Sequence, residues 1–291
     1  MPARLRQHAR LAGLALLAGL GLPHAAAQTA TSRQAESSSE LVNWYYAAVF
    51  GTGIYSSGDR TVGVIQLPLA YTWQERTPDQ WGIRFTAPVS FGFYNFHARD
   101  LADGLPRNVG TMSILPGVEF DTMARDNWRL RPFFGVGYGW ELNESGDAWI
   151  YQAGVKSQLT FPLSRESQFM LGNSVDYAGY NANNDSPKAM ARIVTGLNFA
   201  FPTHGTIMGH AADFNIHLIY YLYTTQMDLP LADNVQHTTR DQIEVAFSFS
   251  VREPIPFKLF GTELFDFDRI GFGVSTGGDV TAVRLFFSLP Y

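Results

Sequence analysis

The stretch V-R-L-F-F-S-L-P-Y, Val283 to Tyr291, decides the fold. In an extended chain Val283, Leu285, Phe287, Leu289 and Tyr291 share one face, and Arg284, Phe286, Ser288 and Pro290 share the other. Apolar residues at every second position up to a terminal aromatic form a stripe that water would not tolerate. If lipid covers the stripe, the strand belongs to a transmembrane barrel, apolar outside and polar inside. The competing reading is a half-buried last strand of a soluble sandwich.

Working upstream, the same alternation recurs. In Trp81 to Tyr94, Trp81, Ile83, Phe85, Ala87, Val89, Phe91 and Phe93 oppose Gly82, Arg84, Thr86, Pro88, Ser90 and Gly92. Trp128 to Leu142 sets Leu130, Phe134, Val136, Tyr138 and Trp140 against Arg129, Arg131, Gly135, Gly137, Gly139 and Glu141. Trp149 to Phe161 and Ile243 to Val251 repeat the pattern. Less regular runs at Thr61 to Gln74, Val109 to Thr122, Gln168 to Tyr180, Ala189 to Phe201, Ala211 to Thr225 and Leu264 to Thr276 bring the number to 11 with the closing strand. Trp44 to Tyr55 reads as a first strand, giving about twelve, the even number bacterial barrels use. Its start also reads as a short helix through Leu41, Trp44 and Tyr45, capped by Ser37, Ser38 or Ser39, that enters the lumen. Pro202 to His210 and Glu253 to Glu263 read as connections on the side of the termini.

The N-terminus agrees with export. Arg4, Arg6 and Arg10 precede an apolar run from Leu11 to Leu22, then Pro23 and A-A-A at Ala25 to Ala27. This is the pattern of a secretory signal cleaved after Ala27. The run is shorter than the roughly 20 residues a spanning helix needs. The expected organisation is a signal at 1–27, a polar leader or short helix at 28–42 and a barrel at 43–291. Loss of three arginines takes Lys plus Arg from 21 to 18 against 26 acids, a net charge of −8. That balance argues against nucleic acid as a partner. The chain has no cysteine, hence no disulfide framework and no thiolate metal site.

The inward positions carry Arg84, Glu119, Asp121, Arg129, Arg131, Glu141, Lys156, Arg192, Glu244, Arg252 and Arg284, with Asp213 and His217 on the same side. Isolated buried ions are prohibitive, so these must pair across the lumen or meet water. Either they line a hydrated passage or they fill a narrow barrel with ion pairs. Arg84, Glu119, Arg129, Arg131 and Glu141, on adjacent strands, form the densest expected cluster.

A barrel enzyme needs a base within hydrogen-bond reach of a hydroxyl, two positions away on a strand or directly across a pair. His97, His204, His210, His217 and His237 have no serine so placed. His204 and His210 with Asp213 match no standard zinc spacing. Neither G-T-G-I at Gly51 nor Gly135, Gly137 and Gly139 has the strand-then-helix context of a phosphate loop. Alternating glycines instead let a wall curve or make room for large lumen neighbours. No catalytic residue, cofactor or metal is expected.

The ending V-R-L-F-F-S-L-P-Y also resembles the C-terminal signature of Gram-negative outer-membrane barrels. Together with the export signal, twelve strands and a segment able to enter the pore, it resembles the autotransporter type of barrel, here solitary because the leader is too short to be a passenger. The resemblance implies an outer-membrane location, contact with its lipid, recognition by the insertion machinery through Val283, Leu285, Phe287, Leu289 and Tyr291, and a channel-like rather than enzymatic role.

Overall fold

The computed structural model describes residues 44–57, 60–94, 109–142, 145–164, 167–182, 186–229, 237–259 and 262–291. The cleavage site at Ala27, the leader at 28–42 and His97 lie outside them.

Alternation this regular cannot stay in register as helix, and the chain folds as strands almost throughout. In chain order these are β1 (Gly53–Ser57), β2 (Arg60–Leu67 and Ala70–Gln74), β3 (Gly82–Thr86 and Val89–Tyr94), β4 (Val109–Ile114 and Gly117–Arg125), β5 (Trp128–Glu141), β6 (Asp147–Pro162), β7 (Gln168–Ala182), β8 (Lys188–Ile207), β9 (His210–Leu229), β10 (His237–Leu259), β11 (Thr262–Gly277) and β12 (Val280–Phe286). Every neighbouring pair is antiparallel, and β1 pairs β12, so the sheet closes on itself as a twelve-stranded barrel. Among the described residues the one helix is a single turn, α1 (Tyr45–Ala48).

The three interrupted strands break next to prolines. Pro68, Pro88 and Pro116 have no N–H for the ladder, yet the bonding carries across the breaks. Ala87 N donates to Leu69 O at 2.8 Å, Leu115 N to Pro88 O at 3.0 Å and Val136 N to Pro116 O at 2.9 Å. The wall therefore stays bonded along a row of prolines.

Two expected connections are strand instead. Pro202 to Ile207 extends β8 up to the turn before β9 begins at His210, Glu253 to Leu259 extends β10, and β11 begins at Thr262. Between β8 and β9 the chain turns on Met208 (φ 51°) and Gly209 (φ 86°), the positive-φ pair of a two-residue hairpin whose twist suits its strands. Pro202 and Pro254 are accommodated where the ladders shift register, between Pro202 and Thr206 and between Ser250 and Ile255.

The outer face is apolar as the alternation requires. Phe134, Val136, Trp149, Val175, Tyr177, Val245, Phe272, Val274, Val283 and Leu285 are exposed, each flanked in sequence by inward residues. The buried residues lie inside.

At its closure the barrel departs from a uniform cylinder. β1 and β12 have only five and seven residues. Below them the two segments that flank the strands leave the wall and enter the lumen: residues 44–52 precede Gly53, and residues 287–291 follow Phe286. The last ladder pair between β11 and β12 is Gly271 with Phe286. Toward the hairpin-turn end, Ala70–Gln74 of β2 comes within 8 Å of β11 between Cα atoms, and among the described residues no ladder bond joins them. Twelve strands at one level thus become ten at the other, with an unbonded seam where β1 and β12 are missing.

Candidate functional site: the plugged, charged lumen

The first segment, ambiguous in sequence, is a plug. Trp44 and Tyr46 are 2% and 1% exposed, and Tyr45, Ala47, Val49 and Phe50 are also buried. It forms no strand until Gly53, and the N-cap position is Trp44, with no side-chain cap, rather than a serine. Each of its large rings withdraws roughly 150–250 Å² from water, on the order of 4–6 kcal/mol before the entropy of ordering is subtracted. Glycines of the wall make the space. A Cβ on Gly139 would overlap the Trp44 indole, while one on Gly92 would touch the Tyr46 ring at ordinary contact distance and collide with Thr111 Oγ1. Tyr45 meets Tyr180 edge-on with ring centroids 5.0 Å apart, and Phe50 stacks on Tyr55 at 4.6 Å. The plug backbone is also tied down, because Arg192 Nη1 donates to Val49 O at 2.9 Å and Gln66 Nε2 to Ala47 O at 3.4 Å.

The other chain end overturns an expectation. Val283 and Leu285 face outward, but Phe287 and Leu289 are partly buried and Tyr291 is only 8% exposed, inside the barrel. The strand stops at Phe286, and the tail turns inward to a site shaped to receive Tyr291. Gly172 and Gly196 are register partners on β7 and β8, and the Tyr291 ring lies across both. A Cβ at either glycine would collide with it. Only two of the five positions expected to form the outward insertion stripe thus keep that face.

The charges expected to line the lumen fall into separate groups. Glu119 receives Lys156 Nζ at 3.3 Å and Arg131 Nη1 at 3.5 Å, with Arg84 opposite it in register. Arg131 and Lys156 are direct cross-strand partners, and the shared carboxylate relieves their repulsion. Beside them Asp121 receives Arg129 Nε at 2.8 Å, with Arg76 Nε at 3.6 Å. Farther round, Arg192 Nε donates to Asp176 at 3.0 Å, and Arg252 Nη2 to Asp213 at 2.9 Å. Glu244, fully buried, binds both Arg284 and the Tyr221 hydroxyl, and the Arg284 guanidinium also lies 5.0 Å from the Tyr221 ring centroid.

Glu141 does not join the Glu119 group. It lies ten residues along β5 from Arg131, on the order of 30 Å in a strand, and its carboxylate sits against Gly146 at the hairpin tip. The sequence reading passed over Asp176, Arg269 and Arg76. Outward Val175, Tyr177 and Ile270 already imply the inward register of the first two, whereas Arg76 sits in a turn where alternation is silent.

The expected absence of a serine beside a histidine needs correcting. His217 Nε2 and Ser248 Oγ are 2.9 Å apart, diagonally across β9 and β10, a placement that searching only same-strand and directly opposite positions misses. Both are buried, His217 Nδ1 has no partner to fix a tautomer, and the Phe286 and Tyr291 rings pack over the imidazole at 5.6 and 6.5 Å. That is a packed pair without substrate access. Nor do His204, His210 and Asp213 converge: Asp213 is held by Arg252, and His210 Nδ1 lies 4.0 Å from Glu253.

No protein-family profile and no curated protein matches the sequence. Among solved structures the chain is similar to the beta domain of the Bordetella autotransporter BrkA, with a TM-score of 0.48 and 9% identity over 80% of this chain and 93% of that one. It is also similar to the KdgM porin solved in complex with disordered oligogalacturonate, with a TM-score of 0.38 and 8% identity over the same shares. At such scores neither likeness bears on activity, and the barrel rests on its own ladders.

Proposed function

We propose that this chain is an integral outer-membrane barrel, exported by a signal ending at Ala27, that forms a narrow, anion-preferring channel for small solutes and is closed in the state described. The carrying observation is the charge imbalance of the Glu119–Asp121 group. Arg76, Arg84, Arg129, Arg131 and Lys156 face two carboxylates, so the lumen there is net positive even with every acid paired. A cation-rich constriction with low-dielectric walls concentrates anions. The plug supports closure, since it fills the lumen without being woven into the wall. The exposed apolar belt supports contact with outer-membrane lipid, and no enzymatic role is proposed.

Planar-bilayer recording tests the reading. The chain from Gln28 should conduct little, and a chain starting at Gly51, which lacks the plug, should show discrete anion-preferring openings. Replacing Arg131 and Lys156 with glutamine should weaken that preference. Silence from both chains, or a cation preference of the open one, would overturn the channel. Amino-terminal sequencing of exported protein should begin at Gln28.

A further inference from the structure

Between the plug and the tail lies a partly open cavity of about 190 Å³. Its lining comes from three parts of the chain: residues 48–52 of the plug, residues 287–290 of the tail, and wall residues that include Gln66, Arg192 and Arg284. Polar and apolar groups share it. The two arginines differ in what they leave on offer. Arg192 is engaged on every nitrogen, by Asp176 through Nε and Nη2 and by the plug carbonyl of Val49 through Nη1. Both bonds of Arg284, to Glu244 and to the Tyr221 hydroxyl, leave from Nη2. Its Nε–H and the N–H groups of Nη1 therefore have no acceptor among the described residues, and Nε is buried. A buried donor on a charged group is costly to leave unmet. Asp176 and Glu244 bind these guanidiniums but do not line the cavity, so a ligand entering it meets the cations and not their acids.

The geometry points to a site for one small organic anion, a carboxylate on a compact apolar body, that locks the plug in place. This rests on reading residues 44–52 as the plug that closes the lumen. The carboxylate takes the unengaged N–H groups of Arg284 in a charge-assisted bond, and the Ser288 hydroxyl on the same lining is a second donor. The apolar body lies against Phe50, Phe287 and Leu289. A cavity of about 150 Å³ accepts a benzene ring, so this one has room for a ring and its carboxylate. Such a site, apolar contact around a few convergent polar groups, is the ordinary form of a small-molecule pocket. Because the plug supplies part of the lining, the site is whole only while the plug is docked. A solute bound there therefore favours the docked plug and keeps the lumen closed.

Benzoate is the probe. Titrated calorimetrically into the chain from Gln28 refolded in detergent, it should bind once per barrel. Benzamide, which keeps the ring without the charge, and acetate, which keeps the charge without the ring, should each bind about tenfold more weakly or worse. Gly51 lines the cavity and a Cβ added there meets nothing within 4 Å, so Gly51→Leu fills the space without a backbone clash. That variant should lose about tenfold in benzoate affinity. At about ten times its Kd, benzoate should slow chymotryptic cleavage at Tyr46 about tenfold, because the undocked fraction falls by that factor. Benzamide bound as tightly as benzoate, equal affinity of parent and Gly51→Leu, or cleavage at Tyr46 that bound benzoate leaves unchanged would overturn the site. Heat-modifiable migration, and an unaltered cleavage rate without benzoate, verify that the variant is folded with its plug docked. Titration needs no conduction, so silence in bilayers would strike the channel and leave the site standing.

Discussion

The arc from β5 to β11 and the closure between β11 and β2 are built from the same alternating sequence to opposite ends. In the arc, the ladders between β5 and β8 run unbroken over a dozen pairs or more, as from Gln168↔Ala200 to Tyr180↔Lys188, those from β8 to β11 run eight to eleven pairs before a register shift, and the apolar alternate residues face out. At the closure the ladder between β1 and β12 holds five pairs, and the apolar residues beyond it turn into the lumen. Alternation states that a face is apolar but not what covers it. Where the wall is continuous the apolar face is left exposed on the outside, and where glycine slots leave space the protein's own interior covers it.

The comparison can be broken at its strongest point first. Glu244→Ala strips the buried carboxylate from Arg284 and Tyr221, where the closure is pinned to the arc. An uncompensated buried cation should cost about 3–5 kcal/mol, read as a lower urea midpoint for unfolding from vesicles. On the arc's outer face, Val245→Arg places a charge between outward Leu218 and Val274 and should cost about 2–4 kcal/mol in the same assay. A change near zero there would mean that the face does not meet hydrocarbon.

The plug gives a pH test. Burial holds the Tyr46 phenol up to about 12 against an ordinary 10. The docked plug therefore favours the neutral phenol. Its contribution is complete below pH 10 and is lost as pH rises from 10 to about 12, because the undocked phenol ionises first. That amounts to about 2–3 kcal/mol of plug docking, to be followed by proteolysis at Tyr46 across that range. Tyr46→Phe should abolish the pH dependence. The smallest effect sharpens the comparison: Gly196→Ala should eject the Tyr291 ring for about 1–3 kcal/mol, exposing the tail to carboxypeptidase, while Val175→Ala on the lipid face leaves the tail protected.

How much of this was legible in sequence follows from the same contrast. Strand number and wall register could be read wherever alternation was clean, as at Trp128 to Leu142, because lipid imposes one rule along the whole outer face. The inward charges followed from that register, and Asp176 was within reach of the same argument. The ambiguity of Trp44 to Tyr55 had a physical source, since aromatic residues suit a lipid face and a lumen plug equally. Tyr291 was misplaced because its slot is made by Gly172 and Gly196, about a hundred residues away, and neither glycine announces a partner. The extended hairpins at Pro202 and Pro254 were read as connections because proline argues against strand, and only the register shifts reveal how the ladder absorbs them.

The inward tail also constrains laboratory handling. Because the Tyr291 ring is seated across Gly172 and Gly196, a purification tag or reporter attached at Tyr291 would have to lie along the interior or drag the ring from its seat. Fusions there would yield an altered barrel, so labels belong on the Gly278–Asp279 hairpin instead.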